Sequence, residues 1–326
     1  MTPAVSVRGL VKDFGDLKAV RGFDLDIPTG EVFGFLGPNG AGKSTTIGML
    51  CTLITPTAGT AQVAGYDVIA ERDQVRRNIG LVFQDTTLDT YMSAERNLQL
   101  HAALYGVPRT IVDDRITEVL RMVALADRRT TKVGLYSGGM KRRLEIARGL
   151  LHSPRVLFLD EPTVGLDPQT RASIWNYINE LRATQDITIF MTTHYMDEAE
   201  YCDRIAIMDH GQLIALDTPA ALKASVGDDR VQISTDDDEA AIRALDERFG
   251  LPAAMSDGAV TFRVAQGERF VPKLFDEFPI AIRSVNVSRP SLDDVFMSYT
   301  GSTIRDAEAG TSERLRHSAQ IFGRGR

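Results

Sequence analysis

The sequence predicts an α/β protein with a largely parallel sheet, a helical insert, and a small second α/β domain toward its C-terminal end. Three observations lead there. Apolar, β-rich runs at residues 31–36, 79–83, 156–159 and 187–193 alternate with helical patterns such as 140–152 and 169–184, and that alternation builds a parallel sheet covered by helices. A glycine-rich segment joins the first of these runs to a helical pattern. Beyond a short polar stretch at 225–229, a new series of short strands and helices begins at 231–234, 239–249, 260–264, 269–278 and 280–288.

Composition sets the outer limits. With 326 residues, 43% of them hydrophobic and 25% charged, the chain can bury one large core and a smaller one. The formal net charge of −7 argues against nucleic acid as the main partner. Cys51 and Cys202 lie outside any Cys-x-x-Cys or Cys/His cluster, so buried, reduced thiols are expected rather than a zinc site. The first residues, Met1 to Val5, lack the basic segment and apolar run of a signal peptide. The longest uncharged stretch, 44–66, is broken by threonines, glycines and Pro56 and lacks the roughly 20 predominantly apolar residues of a spanning helix. Any role at a membrane is therefore expected to run through a partner.

In chain order, the first element with chemistry is Gly37, Pro38, Asn39, Gly40, Ala41, Gly42, Lys43 and Ser44, which fits G-x-x-x-x-G-K-[ST] between a strand and a helix over 43–53. Phosphate oxygens need many donors at close range. Glycines let backbone N–H groups converge, and the helix N-terminus adds favourable polarity. Lys43 supplies a charge for the β- and γ-phosphates, and the Ser44 hydroxyl can bind Mg²⁺. Helices over 93–105 and 110–125 make the insert: Ser93 caps the first, Gly106 and Pro108 stop it, and Val112, Ile116, Val119 and Val123 share one face of the second.

Ligands of open α/β sheets sit beyond the carboxyl ends of the strands. Here the second strand ends at Gln84, an amide able to approach Mg²⁺ or water, the third at Asp160-Glu161, and the fourth at His194. Singly, each reads as a loop residue, a solvated turn or a structural histidine; their joint occurrence behind a phosphate loop points to phosphoryl transfer. Asp160 is expected to hold Mg²⁺, Glu161 to act as general base on water, and His194 to contact the γ-phosphate or keep water and Glu161 in register.

Ser137-Gly138-Gly139-Met140 opens a basic amphipathic helix, a second anion site that is redundant unless two chains face each other. With it, the chain resembles the nucleotide-binding subunits of ATP-binding cassette (ABC) transporters over about its first 220 residues. The matching positions are the phosphate loop from Gly37 to Thr45, Gln84, the signature Ser137-Gly138-Gly139, Asp160-Glu161-Pro162-Thr163, Gly165-Leu166-Asp167-Pro168 and Thr192-Thr193-His194. The resemblance implies a P-loop NTPase fold and a head-to-tail homodimer. It also implies ATP and Mg²⁺ held between one copy's phosphate loop and the other's signature, with Phe14 stacked on adenine. Met140 stands where the family usually has glutamine.

Within that family the chain is similar to the daunorubicin-resistance type of exporter ATPase. The features are Tyr136-Ser137-Gly138-Gly139-Met140 followed by Lys141-Arg142-Arg143, a short C-terminal extension, and its closing motif Pro290-Ser291-Leu292-Asp293-Asp294-Val295-Phe296. That similarity implies two copies at the cytoplasmic face of the membrane, working with a separate permease that contacts and exports a drug, lipid or polyketide. The closing motif reads equally as a capped amphipathic helix packing Leu292, Val295 and Phe296, and is expected to steady the dimer. The permease contact is expected near 85–98. The expected domains are 1–225, with a helical subdomain over about 86–150, then 229–301, then a disordered arginine-bearing tail over 302–326. Asp236-Asp237-Asp238-Glu239 is read as a solvated helix start rather than a cation site. The competing class is a soluble cassette ATPase acting on ribosomes or DNA, for which two cassettes or a long coiled-coil insert would be expected. A catalytically dead regulator is argued against by Lys43, Asp160, Glu161 and His194 together.

Overall fold

A computed structural model describes residues 2–184, 187–256 and 258–300. Its chain divides between Asp217 and Thr218 into two units. The first holds eleven strands among the described residues: β1 (Val5–Phe14), β2 (Leu17–Arg21), β3 (Leu25–Ile27), β4 (Val32–Leu36), β5 (Ala58–Val63), β6 (Tyr66–Asp67), β7 (Ile79–Val82), β8 (Val156–Asp160), β9 (Thr188–Thr193), β10 (Arg204–Asp209) and β11 (Gln212–Asp217). Between them run α1 (Lys43–Leu50), α2 (Arg72–Asn78), α3 (Ala94–Leu104), α4 (Val112–Met122), α5 (Gly138–Leu150), α6 (Pro168–Thr184) and α7 (Met196–Ala199).

The six-stranded sheet has the order β11-β10-β4-β9-β8-β7, parallel except for the antiparallel edge strand β11. Strands β4 and β9 are buried along their whole length, as continuous apolar runs in a covered parallel sheet should be. Phe33 and Phe158 both pair in register with Phe190, and their rings lie 5.5 and 5.3 Å from it. Each such contact contributes about 0.5–1.5 kcal/mol beyond area burial. This ladder locks the register of the three strands whose ends carry Lys43, Glu161 and His194. A second, antiparallel sheet, β2-β1-β5-β6 with β3 on β1, places Phe14 at the end of β1.

The insert is helical, with two additional 3₁₀ turns at Ala126–Arg128 and Val133–Leu135. Ser93 caps α3 by accepting the Arg96 N–H. The apolar face of α4 (Ile116, Val119 and Leu120) is buried, and α4 packs on both α3 and α5. The helix expected over 110–125 stops at Met122, with Val123 as a buried cap and Ala124 at φ 51°.

In the second unit, α8 (Pro219–Val226) leads into β12 (Asp229–Thr235), α9 (Asp238–Phe249), β13 (Ala253–Ser256), β14 (Ala259–Val264), α10 (Gly267–Glu277), β15 (Ile282–Ser288) and α11 (Leu292–Thr300). The βαββαβ series forms an antiparallel sheet of order β13-β14-β12-β15, a ferredoxin-like arrangement. The stretch expected to be a linker at 225–229 spans the end of α8 and Gly227, whose φ is 130°. The closing motif forms α11, which packs on α8. Its Leu292, Val295 and Phe296 are buried, and Ser291 and Asp294 exchange the reciprocal bonds of a capping box. The acidic run is engaged locally: Asp237 caps α9, Asp238 accepts from Thr235, and Asp236 pairs with Arg283. Both cysteines are buried and unpaired. The tail arginines, Arg305, Arg314, Arg316, Arg324 and Arg326, lie outside the described residues. No described helix is long and apolar enough to cross a membrane.

Candidate nucleotide-binding and hydrolysis site

The phosphate loop turns out of β4 and into α1. Gly42 sits at φ 108°, and a Cβ there would lie 2.5 Å from the Ala19 carbonyl. Any other residue would strain the backbone and push the loop off its neighbour. Lys43 is 4% exposed. Its Nζ donates to the carbonyls of Gly37 at 2.7 Å and Pro38 at 3.2 Å, and lies 3.4 Å from Glu161 Oε1. Asn39, Gly40, Gly42, Lys43, Ser44 and Thr45 line a cavity of about 340 Å³, while Ala41 is buried against the core.

Three further strand ends converge on the loop. Ser44 Oγ donates to Asp160 Oδ1 at 3.3 Å, and the Thr192 hydroxyl donates to the same oxygen at 2.5 Å. Hard oxygen donors on neighbouring positions around octahedral Mg²⁺ stand about 3 Å apart, so the Ser44–Asp160 pair fits that ion. Gln84 lines the cavity, and its Nε2 donates to Glu161 Oε2 at 3.3 Å. His194 Nδ1 lies 3.3 Å from Glu161 Oε1, without hydrogen-bond alignment. Burial pulls the Glu161 carboxyl up, but His194 and Lys43 more than offset it and leave it below its ordinary value.

Glu161 is also the non-glycine residue of this group with left-handed backbone, at φ 46°. Side chains hold that strained peptide. The Glu161 N–H donates to Thr192 Oγ1 at 3.0 Å, and Arg142 donates to the Asp160, Glu161 and Pro162 carbonyls. Glu198 adds a second tether. It is buried, and it accepts the Thr163 hydroxyl on Oε1 and the Thr193 hydroxyl on Oε2, the latter at 2.7 Å. One carboxylate thus grips the chain two residues after Glu161 and one residue before His194. Burial raises the Glu198 carboxyl above its ordinary value, and the two threonines and Arg171 draw it back only in part.

Phe14 lines the same cavity at its mouth, 48% exposed, with Lys12 Nζ 4.8 Å from the ring centroid. The signature residues stand elsewhere. Ser137 caps α5 by accepting the Met140 N–H, Ser137 and Gly138 are exposed, and none of Ser137, Gly138 and Gly139 lines the cavity. Gly139 is packed so that a Cβ would lie 2.3 Å from Thr170 Cγ2.

Sequence reasoning missed several residues here. Arg21, His210 and Gly211 line the cavity. The last two form the β10–β11 turn, with His210 at φ 46° and Gly211 at φ 79°, the double left-handed geometry of a tight hairpin. An X-Gly pair between two apolar runs was the available signal. Arg142 and Glu145 carried one signal, charge on the inward face of an otherwise amphipathic helix, whereas nothing local marks Glu198 on the four-residue α7.

Residues 20–164 match the ABC transporter family, and residues 218–300 match the C-terminal domain of DrrA1-3-like ATP-binding proteins. The chain is 39% identical over 328 residues to the daunorubicin/doxorubicin resistance ATP-binding protein DrrA of Streptomyces peucetius, covering 96% of this chain and 98% of that protein. Among solved structures, cbiO1 from Clostridium perfringens, part of the ABC transporter complex cbiONQ, is similar with a TM-score of 0.65 at 28% identity, covering 77% of this chain and 97% of that one. The ATP-binding cassette MJ0796, in a dimeric post-hydrolysis state bound to ADP and Pi, is similar with a TM-score of 0.59 at 27% identity, covering 66% and 98%. A phosphate loop backed by Asp160 and Glu161, on a P-loop fold followed by a DrrA-like C-terminal domain, places the chain in the ABC transporter family as an ATP-hydrolysing subunit of the daunorubicin-resistance type.

Proposed function

We propose that this chain powers export of a drug, lipid or polyketide-like compound through a separate membrane permease, working as a pair of copies at the cytoplasmic face of the membrane. One observation carries the chemistry: Lys43 and His194 both stand within 3.4 Å of the Glu161 carboxylate, at the carboxyl ends of neighbouring parallel strands. In this reading the backbone N–H groups from Gly37 to Thr45 grip the triphosphate, and Lys43 exchanges its loop carbonyls for phosphate oxygens. Phe14 stacks on the adenine. Ser44, Asp160 and Gln84 would hold Mg²⁺, which neutralises phosphate charge when bound. Glu161, held below its ordinary value by His194 and Lys43, takes the proton of the attacking water. His194 keeps that water and the carboxylate aligned.

The Ser137-Gly138-Gly139 turn serves the nucleotide of the second copy. Two facts support this: the turn is exposed outside its own chain's cavity, and the MJ0796 cassette is dimeric. The resistance function named for the DrrA relative supports the cargo class. Exposed Tyr91, Met92 and Leu100 of the insert support a permease contact near 85–98. The unit from Thr218 onward acts as an accessory domain, and α11 steadies the pair.

The test is Glu161→Gln in the full chain. ATP binding should persist while turnover falls by about 10²–10⁴-fold, and ATP should shift the variant from monomer to dimer in light scattering. Wild-type turnover would remove Glu161 from its role. A monomer at saturating ATP would sink the paired arrangement.

A further inference from the structure

Helix α5 buries charge where an apolar face would serve stability at least as well. Arg142 is 7% exposed and Glu145 is fully buried; Arg148 lies on the same face. Ion pairs taken out of water rarely outperform apolar side chains of similar size, so their presence calls for another reason. The hydrogen bonds supply one. Arg142 Nη1 donates to the Phe83 carbonyl, immediately before Gln84. Its Nη2 donates to the carbonyls of Asp160 at 3.0 Å and Glu161 at 3.1 Å, and its Nε to that of Pro162 at 2.6 Å. Glu145 accepts the Thr87 N–H at 2.7 Å and lies 3.3 Å from Arg142 Nη1. Arg148 donates to the Thr87 hydroxyl at 2.5 Å.

One guanidinium therefore fastens the strand end before Gln84 to three successive carbonyls around the strained Glu161 peptide. Its planar fork of five N–H donors can reach several acceptors at once, which a lysine ammonium cannot do in the same plane. The same helix begins at Ser137. The two positions are five residues apart, about 7–8 Å of rigid helix, so a push on Ser137 is felt at Arg142.

We propose that Arg142 is a positioning residue that couples the signature turn to the hydrolytic centre of its own chain. Nucleotide gripped by a second copy engages Ser137, and α5 carries that engagement to Glu161 and Gln84 here. The two sites of a pair are thereby linked, and turnover responds cooperatively to ATP. This rests on the paired arrangement proposed above.

The experiment is a cycle of Arg142→Lys and Ser137→Ala in the full-length chain, reading ATP affinity, thermal midpoint, kcat, KM and the Hill coefficient. For Arg142→Lys the expected result is a kcat loss on the order of 10- to 100-fold. KM and ATP affinity should stay within about threefold, and the Hill coefficient should fall toward one. Adding Ser137→Ala should then cost little more, because both act through one relay. Multiplying effects, or a Hill coefficient unchanged in Arg142→Lys, would overturn the relay while leaving the pair intact. Affinity, midpoint and kcat falling in step would make Arg142 merely structural and overturn it too. A Ser137→Ala chain with wild-type turnover and cooperativity would remove the pairing itself, and the relay with it. Should Arg142→Lys fail to fold, Glu145→Gln carries the same readouts, with a smaller kcat loss expected and the same criteria for rejection.

Discussion

This chain contains two glycine-rich turns that open a helix, and they are built in opposite ways. The phosphate loop is closed on its own sheet: Gly40 and Gly42 have φ of 85° and 108°, and Lys43 is buried against the loop carbonyls and Glu161. The signature turn is an ordinary capped helix start, with Ser137 and Gly138 exposed and neither glycine in left-handed geometry. The first turn takes a backbone that only glycine adopts freely, and it is surrounded by its own chemistry. The second is relaxed and stands outside the cavity that the first one lines. Under the proposed pairing, similar local chemistry supplies one site that this chain largely completes and a second turn that would serve the other copy's nucleotide.

The sharpest break of that comparison is substitution of the charged residue in the first turn. Lys43→Ala should weaken ATP binding by at least about 100-fold, since it removes a charge-assisted contact from a buried phosphate site. Fluorescent-nucleotide titration of the single chain measures it. Ser137→Ala should leave that monomeric affinity within about twofold and slow turnover by roughly 10- to 100-fold. If both variants lost ATP affinity in the same assay, the two turns would belong to one intrachain site and the contrast would fail.

Much of the first turn was legible in the sequence, and its support was not. G-x-x-x-x-G-K-[ST] is a local pattern, because the loop's geometry is set by consecutive residues, and the strand ends at Gln84, Asp160-Glu161 and His194 follow from buried β-runs. Arg142 and Glu198 act across 18 to 35 positions of sequence, through Asp160 and Thr163. No spacing rule encodes such a contact; it exists only once α5 and α7 are packed on the sheet. The same reason hid the second unit's topology. Its strands could be read one by one, but the order β13-β14-β12-β15 depends on pairings that short, half-polar strands do not specify locally.

A gentler probe concerns the mouth of the first site. Phe14 is half exposed and contacts Lys12, so it is not held in place by a core. Stacking of this kind is worth about 0.5–1.5 kcal/mol, which predicts a roughly 2- to 12-fold rise in ATP Kd for Phe14→Ala with kcat nearly unchanged. Phe14→Trp should recover the affinity. A large kcat loss in Phe14→Ala would mean that the ring positions the phosphates as well as the base.

The smallest effect comes from the clamp that distinguishes the strained strand ends from the relaxed signature turn. Burial raises the Glu198 carboxyl above the ordinary 4.5, despite the Thr163 and Thr193 hydroxyls and Arg171. A group whose folded value is raised gives its full contribution to stability below the unfolded value and loses it as pH climbs through the folded one. Wild-type stability should therefore carry a downward component above about pH 4.5 from this residue. Glu198→Gln, neutral at every pH and nearly the same shape, removes that component. Thermal midpoints of the two proteins, measured from acid to neutral pH, should diverge in the variant's favour as pH rises, by a few degrees at most. Parallel curves would show that the carboxylate is stabilised by its partners as much as burial penalises it. In that case Glu198 holds Glu161 and His194 in register without any electrostatic cost to the fold.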